Sequence, residues 1–144
     1  MRLLICGVPG SGKTTFGDWL RDHHGYKHYD FESKIENITT NPDTVVTWGF
    51  VPDDIESQKI ILLLIKMGFK PIWFSDKPFF HIFSYSRYIK RNKQHRPYVA
   101  NWLYFRQINK IDENRTWIMF NKTINPFHRN GKFKKSEDLL KQMI

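Results

Sequence analysis

Two hydrophobic periods alternate along this chain. Arg2-Leu3-Leu4-Ile5-Cys6 is a short apolar run, the pattern of a buried strand. After a glycine-rich stretch, Phe16, Trp19 and Leu20 fall at helical spacing and predict a helix over about 13–23. A second strand is expected over 26–31, behind the turn at Gly25. Residues 32–43 are polar and read as a short helix and loop closed by Asn41-Pro42-Asp43. Thr44-Val45-Val46-Thr47-Trp48 is β-branched and aromatic, a third strand. Asp53 offers an N-cap with Glu56 three residues on, and Gly68 a C-terminal stop. Between them lies the longest apolar run, Ile60 to Ile65, which fits a buried helix. Lys70-Pro71-Ile72-Trp73-Phe74 reads as strand four, with Pro71 near its start. Residues 76–113 are ambiguous. Phe79, Phe80, Ile82 and Phe83 suit the start of one helix; Val99, Leu103, Ile108 and Ile111 suit a second over about 98–113. Strand five is expected at Thr116-Trp117-Ile118-Met119-Phe120. Asn130-Gly131 is a turn, and Ser136-Glu137-Asp138-Leu139-Leu140 caps a terminal helix. Strands and helices in alternation favour a parallel sheet with helices on both faces.

The chemistry sits between the first strand and the first helix. Residues 7–14 read Gly7-Val8-Pro9-Gly10-Ser11-Gly12-Lys13-Thr14, a complete Walker A phosphate-binding loop. Glycines let successive backbone N–H groups point at phosphate oxygens, where a Cβ would intrude. The helix that follows adds the positive end of its dipole. Lys13 supplies a mobile charge for the phosphates, and the Thr14 hydroxyl is placed for Mg²⁺. Pro9, Ser11 and Thr15 complete the nucleotide-binding set. Gly17, inside the helix, reads as a close-packing site against the sheet.

Length and charge narrow the setting. The 144 residues fit one domain, and no stretch approaches the roughly 18 apolar residues of a membrane span. With Cys6 the only cysteine, no internal disulfide forms. Cys6 is expected to be a small buried residue, in a cytoplasmic protein without a secretory leader. The net charge of +9, concentrated from residue 87 onward, attracts phosphates of any kind. His23, His24, His28, His81, His95 and His128 show no metal-ligand spacing, and His23 and His24 are expected at an exposed helix end. Mg²⁺ carried with ATP is therefore the expected metal. Heavy Phe, Ile, Asn and Lys usage suggests an A·T-rich genome, such as that of a virus or phage.

With these motifs the chain resembles the P-loop kinases of the nucleotide-kinase and shikimate/gluconate-kinase type. The resemblance implies a three-layer α/β fold around a five-stranded parallel sheet in order 2-3-1-4-5, with ATP and Mg²⁺ as cofactors. Tyr29-Asp30-Phe31-Glu32 looks like the Asp-x-Asp of shikimate-type kinases, which assists Mg²⁺ and contacts the acceptor hydroxyl. Phosphoryl transfer uses such carboxylates: one takes the acceptor's proton, another holds metal-bound water. Asp30 is thus the candidate for catalysis, metal and acceptor. Glu32, a longer side chain than the pattern has, is a candidate for the acceptor. Trp48-Gly49-Phe50 is similar to the segment lining the acceptor site, with Gly49 allowing close approach. Strand three ends without the usual Walker B carboxylate. That shifts metal duty to Asp30, with Asp76 the weaker alternative. Arg87, Arg91 and Arg96 occupy the place of a short lid, about 84–98, whose arginines close on the transferring phosphate. Arg91 leads, and spacing of four puts Arg87 on the same helical face. The family's adenine rests near the loop after strand five, here Asn121-Lys122-Thr123-Ile124-Asn125-Pro126.

The expected activity is therefore ATP-dependent transfer to a small acceptor: a nucleoside, nucleotide or polyol. Trp48, Phe50, Phe79 and Phe80 are candidates to wall that pocket, though such aromatics more often lie in the core. One alternative is a nucleic-acid 5′-hydroxyl, since Tyr85, Tyr88 and Tyr98 interleave the basic 87–96 segment. Another is a nucleotide-binding or hydrolysing module that acts through a partner.

Overall fold

The computed structural model describes residues 1–30, 41–49, 55–91, 103, 106, 110, 120 and 122–144, with Arg91 by its backbone alone. Its sheet has five parallel strands: β1 (Arg2–Gly7), β2 (Lys27–Asp30), β3 (Thr44–Thr47), β4 (Lys70–Phe74) and β5 (Lys122–Ile124). Their order is β2-β3-β1-β4-β5, as the resemblance to P-loop kinases implies. The apolar run of β1 explains its central place. Leu3 pairs with Val45 of β3 on one side, and Ile5 with Ile72 of β4 on the other.

Successive side chains of a strand leave by opposite faces, so one run builds two cores. Leu3 and Ile5 join Phe16, Leu20, Val45, Ile72, Phe74 and Leu139 on the face of helices α1 (Lys13–His24) and α4 (Ser136–Met143). Leu4 and Cys6 join Val46, Ile61, Leu64, Trp73 and Phe120 on the face of α2 (Ile55–Lys66). The result is a three-layer sandwich. Charged side chains tie the layers at helix ends, where carbonyls lack helical partners. Arg2 Nη1 donates to the Met67 carbonyl at 2.5 Å, just past α2. Lys70 Nζ donates to the Met143 carbonyl at the end of α4. Gly68 ends α2 as expected, its N–H donating to Ile65 O at 3.0 Å while Phe69 N–H donates to Leu64 O at 3.1 Å.

Several elements differ from the sequence reading. Strand five pairs at Lys122–Ile124, downstream of 116–120. Residues 116–119 lie outside the described set, and Phe120 serves as a core side chain, edge-on to Trp73 at 5.3 Å. The Ile60–Ile65 run is not buried throughout. Ile61 and Leu64 are fully buried, whereas Leu62 and Leu63 stay 49% and 46% exposed. A helix lying on one sheet has one face to bury, whatever the run's length. Phe79 and Phe80 do not start a helix. A 3₁₀ turn spans Lys77–Phe79, Phe80 and His81 adopt φ of 54° and 58°, and α3 (Ile82–Arg91) begins after them. Lys135, not Ser136, is the N-cap of α4, and no side chain caps it. The proposed Asp53 cap lies outside the described residues. So do residues 92–98 of the expected lid; residues 84–91 belong to α3. Leu103, Arg106 and Lys110 are helical.

The glycine inside α1 has a specific reason. A Cβ on Gly17 would overlap the ring of His28, which crosses from β2 onto the helix. Gly→Ala in a helix interior ordinarily stabilises by about 1 kcal/mol. Here the sign is expected to reverse: Gly17→Ala lowers the urea midpoint, and a raised midpoint would refute the contact.

Candidate active site

Parallel strands bring their C-terminal ends to one edge of the sheet, where open α/β folds bind ligands. Three of those ends build the site. The loop from β1 into α1 makes its floor. Gly12 caps α1 at φ 82° with no side-chain cap hydrogen bond and no acid in the first turn to compete with an anion there. Lys13 is only 6% exposed, and its Nζ donates to Val8 O at 2.8 Å and Ser11 Oγ at 3.2 Å. The lysine is thus folded back across the loop it serves. Beneath it, burial pushes the Cys6 thiol far above its ordinary range, outweighing the opposite pull of Lys13. Such a thiol is inert as a nucleophile.

Asp30, the last residue of β2, stands beside this floor. Its Oδ2 accepts from Thr14 Oγ1 at 3.4 Å and its Oδ1 from Thr47 Oγ1, at the end of β3, at 3.0 Å. Thr14 and Asp30 are both exposed. Two hard oxygens side by side fit Mg²⁺, which keeps most of its shell as water and phosphate oxygen. Among the described residues no three His, Cys, Asp or Glu side chains are grouped to hold a metal.

The loop is pressed from two further segments. A Cβ on Gly10 would overlap the Ser84 carbonyl of α3, and one on Gly12 the ring of Phe133. Arg87, on α3, links these contacts. Its Nε donates to Gly10 O at 3.2 Å, and its guanidinium lies 4.9 Å from the centre of the Phe133 ring. A cavity of about 610 Å³ opens beside them, lined by Thr15, Trp19, Arg87, Phe133, Lys134 and Lys135. The sequence reading places the base near the loop over 121–126. Residues 122–124 are strand β5, which leaves the 133–135 segment to border the cavity. The signal for Phe133 is the Asn130-Gly131 turn. It folds the chain so that Phe133 pairs back with Phe127.

Asp76 has a role other than metal binding. It is fully buried, and its carboxylate accepts Phe83 N–H at 3.1 Å, Ser84 N–H at 3.0 Å and Ser84 Oγ–H at 2.5 Å. It therefore caps α3. His81 Nδ1 lies 3.3 Å away. Burial pushes the Asp76 carboxyl up, but His81 and the Ser84 hydrogen bonds outweigh it and hold the group below the ordinary range.

The structure thus brings together Gly7, Pro9, Gly10, Ser11, Gly12, Lys13, Thr14, Thr15, Asp30 and Arg87. Gly49 follows β3 at the same edge with open space around it. Glu32, Phe50, Arg96, Tyr98 and the Arg91 side chain lie outside the described residues. Tyr85 and Tyr88 are half-buried on α3 and Trp48 half-buried against the α2-side core; Phe80 is 75% exposed. His23 and His24 are exposed at the end of α1, against Trp19. No described helix is long and apolar enough to cross a membrane.

No protein-family model matches the chain. A segment of 37 residues is 49% identical to the shikimate kinase of Synechococcus elongatus, covering 26% of this chain. The chain thus spans about a fifth, 20%, of the curated relative it matches. The fold comparison is broader. Over 99% of the chain it is similar to a gluconokinase from Sinorhizobium meliloti, with TM-score 0.55, 13% identity and 88% of that chain covered. It is likewise similar over 99% to the shikimate kinase of Aquifex aeolicus, with TM-score 0.55, 17% identity and 94% of that chain covered. At such identities the likeness shows the fold alone, a five-stranded parallel sheet flanked by helices that this chain shares with those two kinases.

Asp76 yields a test. Its native carboxylate binds a proton less readily than in the unfolded chain. Its stabilisation is therefore full above the unfolded value and is lost as pH falls through the folded one. Asp76→Ala is expected to cost about 2–4 kcal/mol at neutral pH. Urea unfolding should show that gap narrowing in acid, and a constant gap would refute the role of the charged form.

Proposed function

We propose that the protein is an ATP-dependent phosphotransferase that passes the γ-phosphoryl group to a hydroxyl of a small acceptor, a nucleoside, nucleotide or polyol. The observation that carries this reading is the meeting of Thr14 and Asp30 at 3.4 Å beside Lys13, on the strand-end edge of the sheet. A carboxylate at that edge can serve both Mg²⁺ and an acceptor hydroxyl.

The residues divide the work. Backbone N–H groups of 10–15 hold the β- and γ-phosphates, and Lys13 swings from Val8 and Ser11 onto them. Thr14 and Asp30 would hold Mg²⁺, which when bound neutralises phosphate charge. The base enters the cavity between Trp19, Phe133 and Arg87, where aromatic faces and a guanidinium plane suit a purine. The acceptor lies over Gly49 and Asp30, and Glu32 is a further candidate to contact it, on the sequence pattern alone. Asp30 Oδ2 orients the acceptor hydroxyl and takes its proton as the oxygen attacks phosphorus in line and ADP departs. Arg87 braces Gly10, and Arg91, one turn along α3, serves the transferring phosphate as charge spreads over its oxygens. Arg87 turned inward on the loop, rather than outward along a groove, supports a small acceptor over a nucleic-acid end.

Transfer of labelled γ-phosphate tests the reading. Pools of nucleosides, nucleoside monophosphates, polyols and 5′-hydroxyl oligonucleotides are offered with ATP and Mg²⁺. Label is expected in a small-molecule pool, falling on the order of a hundredfold or more in Lys13→Ala. Label in the oligonucleotides alone would replace the acceptor class. No label anywhere, with ATP binding intact, would favour a nucleotide-binding or hydrolysing module instead.

A further inference from the structure

After β5 the chain folds into a short hairpin, Pro126 to Lys135, and the proposed chemistry uses only its inner side. Phe127 and Phe133 pair across it in antiparallel register, their rings edge to face at 5.1 Å. Gly131, at φ 82°, turns the chain. His128 N–H then donates to Lys132 O at 2.8 Å, and Lys134 N–H to Pro126 O at 2.8 Å. The aromatic pair is turned inward. Phe127 is buried against Phe83 of α3, ring centres 5.6 Å apart, and Phe133 lies on Gly12. Successive side chains of a strand leave by opposite faces, so His128, Lys132 and Lys134 leave by the other. Arg129 stands at the turn and Lys135 at the end, both exposed, as are His128 and Lys132.

That outer face carries charge of one sign. Arg129, Lys132, Lys134 and Lys135 fall within seven residues, and no Asp or Glu occurs between Glu113 and Glu137. Among the described residues none of the four is ion-paired. Cations clustered without counter-charges repel one another, and a polyanion relieves that repulsion. The hairpin also fixes their spacing: Lys132 and Lys134, two residues apart on one face, sit about 7 Å from each other along the strand. Successive phosphates of an extended nucleic-acid strand stand at a similar step.

The α3 side adds an aromatic group. A Cβ on Gly131 would overlap the Phe83 ring, and Phe79 lies edge-on to Phe83 at 5.1 Å. The next residue, Phe80, is 75% exposed and is held at φ 54° by the turn after β4. Strain kept at an exposed apolar side chain points to a use for it. Fixed cations with a bare ring are the two features by which single strands are bound: phosphates on the charges, a base on the ring.

We propose that the outer face of the 126–135 hairpin, with Phe80, binds single-stranded nucleic acid. Arg129, Lys132, Lys134 and Lys135 take successive phosphates, and Phe80 stacks a base. A bilayer would call for apolar side chains on the hairpin's outer face, where its aromatics are instead turned in. The surface is separate from the acceptor side: Asp30 and Gly49 follow β2 and β3, the hairpin follows β5, and β1 and β4 lie between. The inference therefore stands apart from the phosphotransferase reading.

Fluorescence anisotropy of 3′-labelled oligo-dT and oligo-U, about 15 nucleotides long, tests it on the full chain without ATP. Both carry a 5′-phosphate, which removes the 5′-hydroxyl as acceptor. Binding of either is expected, with a log–log salt slope of about −2 to −3, since each phosphate contact contributes about −0.7. Lys134 and Lys135 also border the nucleotide cavity, so the substitutions spare them. Arg129→Gln with Lys132→Gln should weaken binding about tenfold and flatten the slope by about 1.4. Lys27→Gln with Lys66→Gln removes the same charge from exposed positions elsewhere and should leave affinity within about twofold. Phe80→Ala should weaken binding about tenfold, and Phe80→Trp should keep it. No binding of either strand at low salt overturns the proposal. So does an equal loss in the two double variants, which would reduce the attraction to net charge. A duplex bound as tightly as the single strands, an unchanged Phe80→Ala, or binding to anionic lipid vesicles alone overturns it as well. Strand binding without transfer to any acceptor would sink the kinase reading and leave this surface standing. Transfer without strand binding would do the reverse.

Discussion

A phosphate loop has no side-chain interior of its own, so its shape must be imposed by what surrounds it. Here the walls come from distant parts of the chain. The Ser84 carbonyl of α3 closes on Gly10, and Phe133, brought round by the turn at Gly131, closes on Gly12. Arg87 joins the two, holding Gly10 O through Nε while its guanidinium lies on Phe133. A loop coded within the first 14 residues therefore takes its geometry from segments some seventy and one hundred and twenty residues later. Bulk at Gly10 or Gly12 would meet backbone or an aromatic ring, not solvent.

The position of α3 depends in turn on one buried acid. The connection from β4 passes through Phe80 and His81, two successive non-glycine residues with positive φ. Such residues cost of order 1–3 kcal/mol each and persist only where the surroundings over-determine them. Asp76 supplies that determination with both its ends. Its backbone carbonyl accepts the N–H groups of Phe79 and His81 at 2.8 and 3.2 Å. Its carboxylate accepts those of Phe83 and Ser84, together with the Ser84 hydroxyl. A single residue thus organises the turn, starts the helix and aims Ser84 at the phosphate loop.

Much of this was legible in the sequence, for physical reasons that differ from place to place. The β1-loop-α1 unit announces itself because the Walker A pattern is so restrictive: glycines, a lysine and a threonine at fixed offsets between a strand and a helix. Strand β4 was placed to the residue because Pro71 and Gly68 punctuate it. Strand β5 was not, because the aromatic run at 117–120 outscores Lys122-Thr123-Ile124 on apolar character. Phe120, the described residue of that run, is buried against Trp73 and lies outside the strand. The exposed half of α2 is invisible to a run-length argument, since it depends on which face meets the sheet. Of the site, Lys13, Thr14 and Asp30 follow from motif and strand end. Phe133, Thr47 and His28 do not, because each acts through a partner remote in sequence. Only Gly17, read as a close-packing site inside the helix, hinted at such a partner.

Gly17 and His28 also bear on how this sequence can drift. The glycine is kept by the ring and the ring is seated by the glycine, so neither position varies on its own terms. A lineage that acquired any side chain at 17 would first have to replace the histidine by something smaller. That step would leave Asp18 and Thr47, which the ring contacts at 2.9 and 2.7 Å, each short of a partner. A side chain at 17 should therefore occur only where position 28 is no longer histidine.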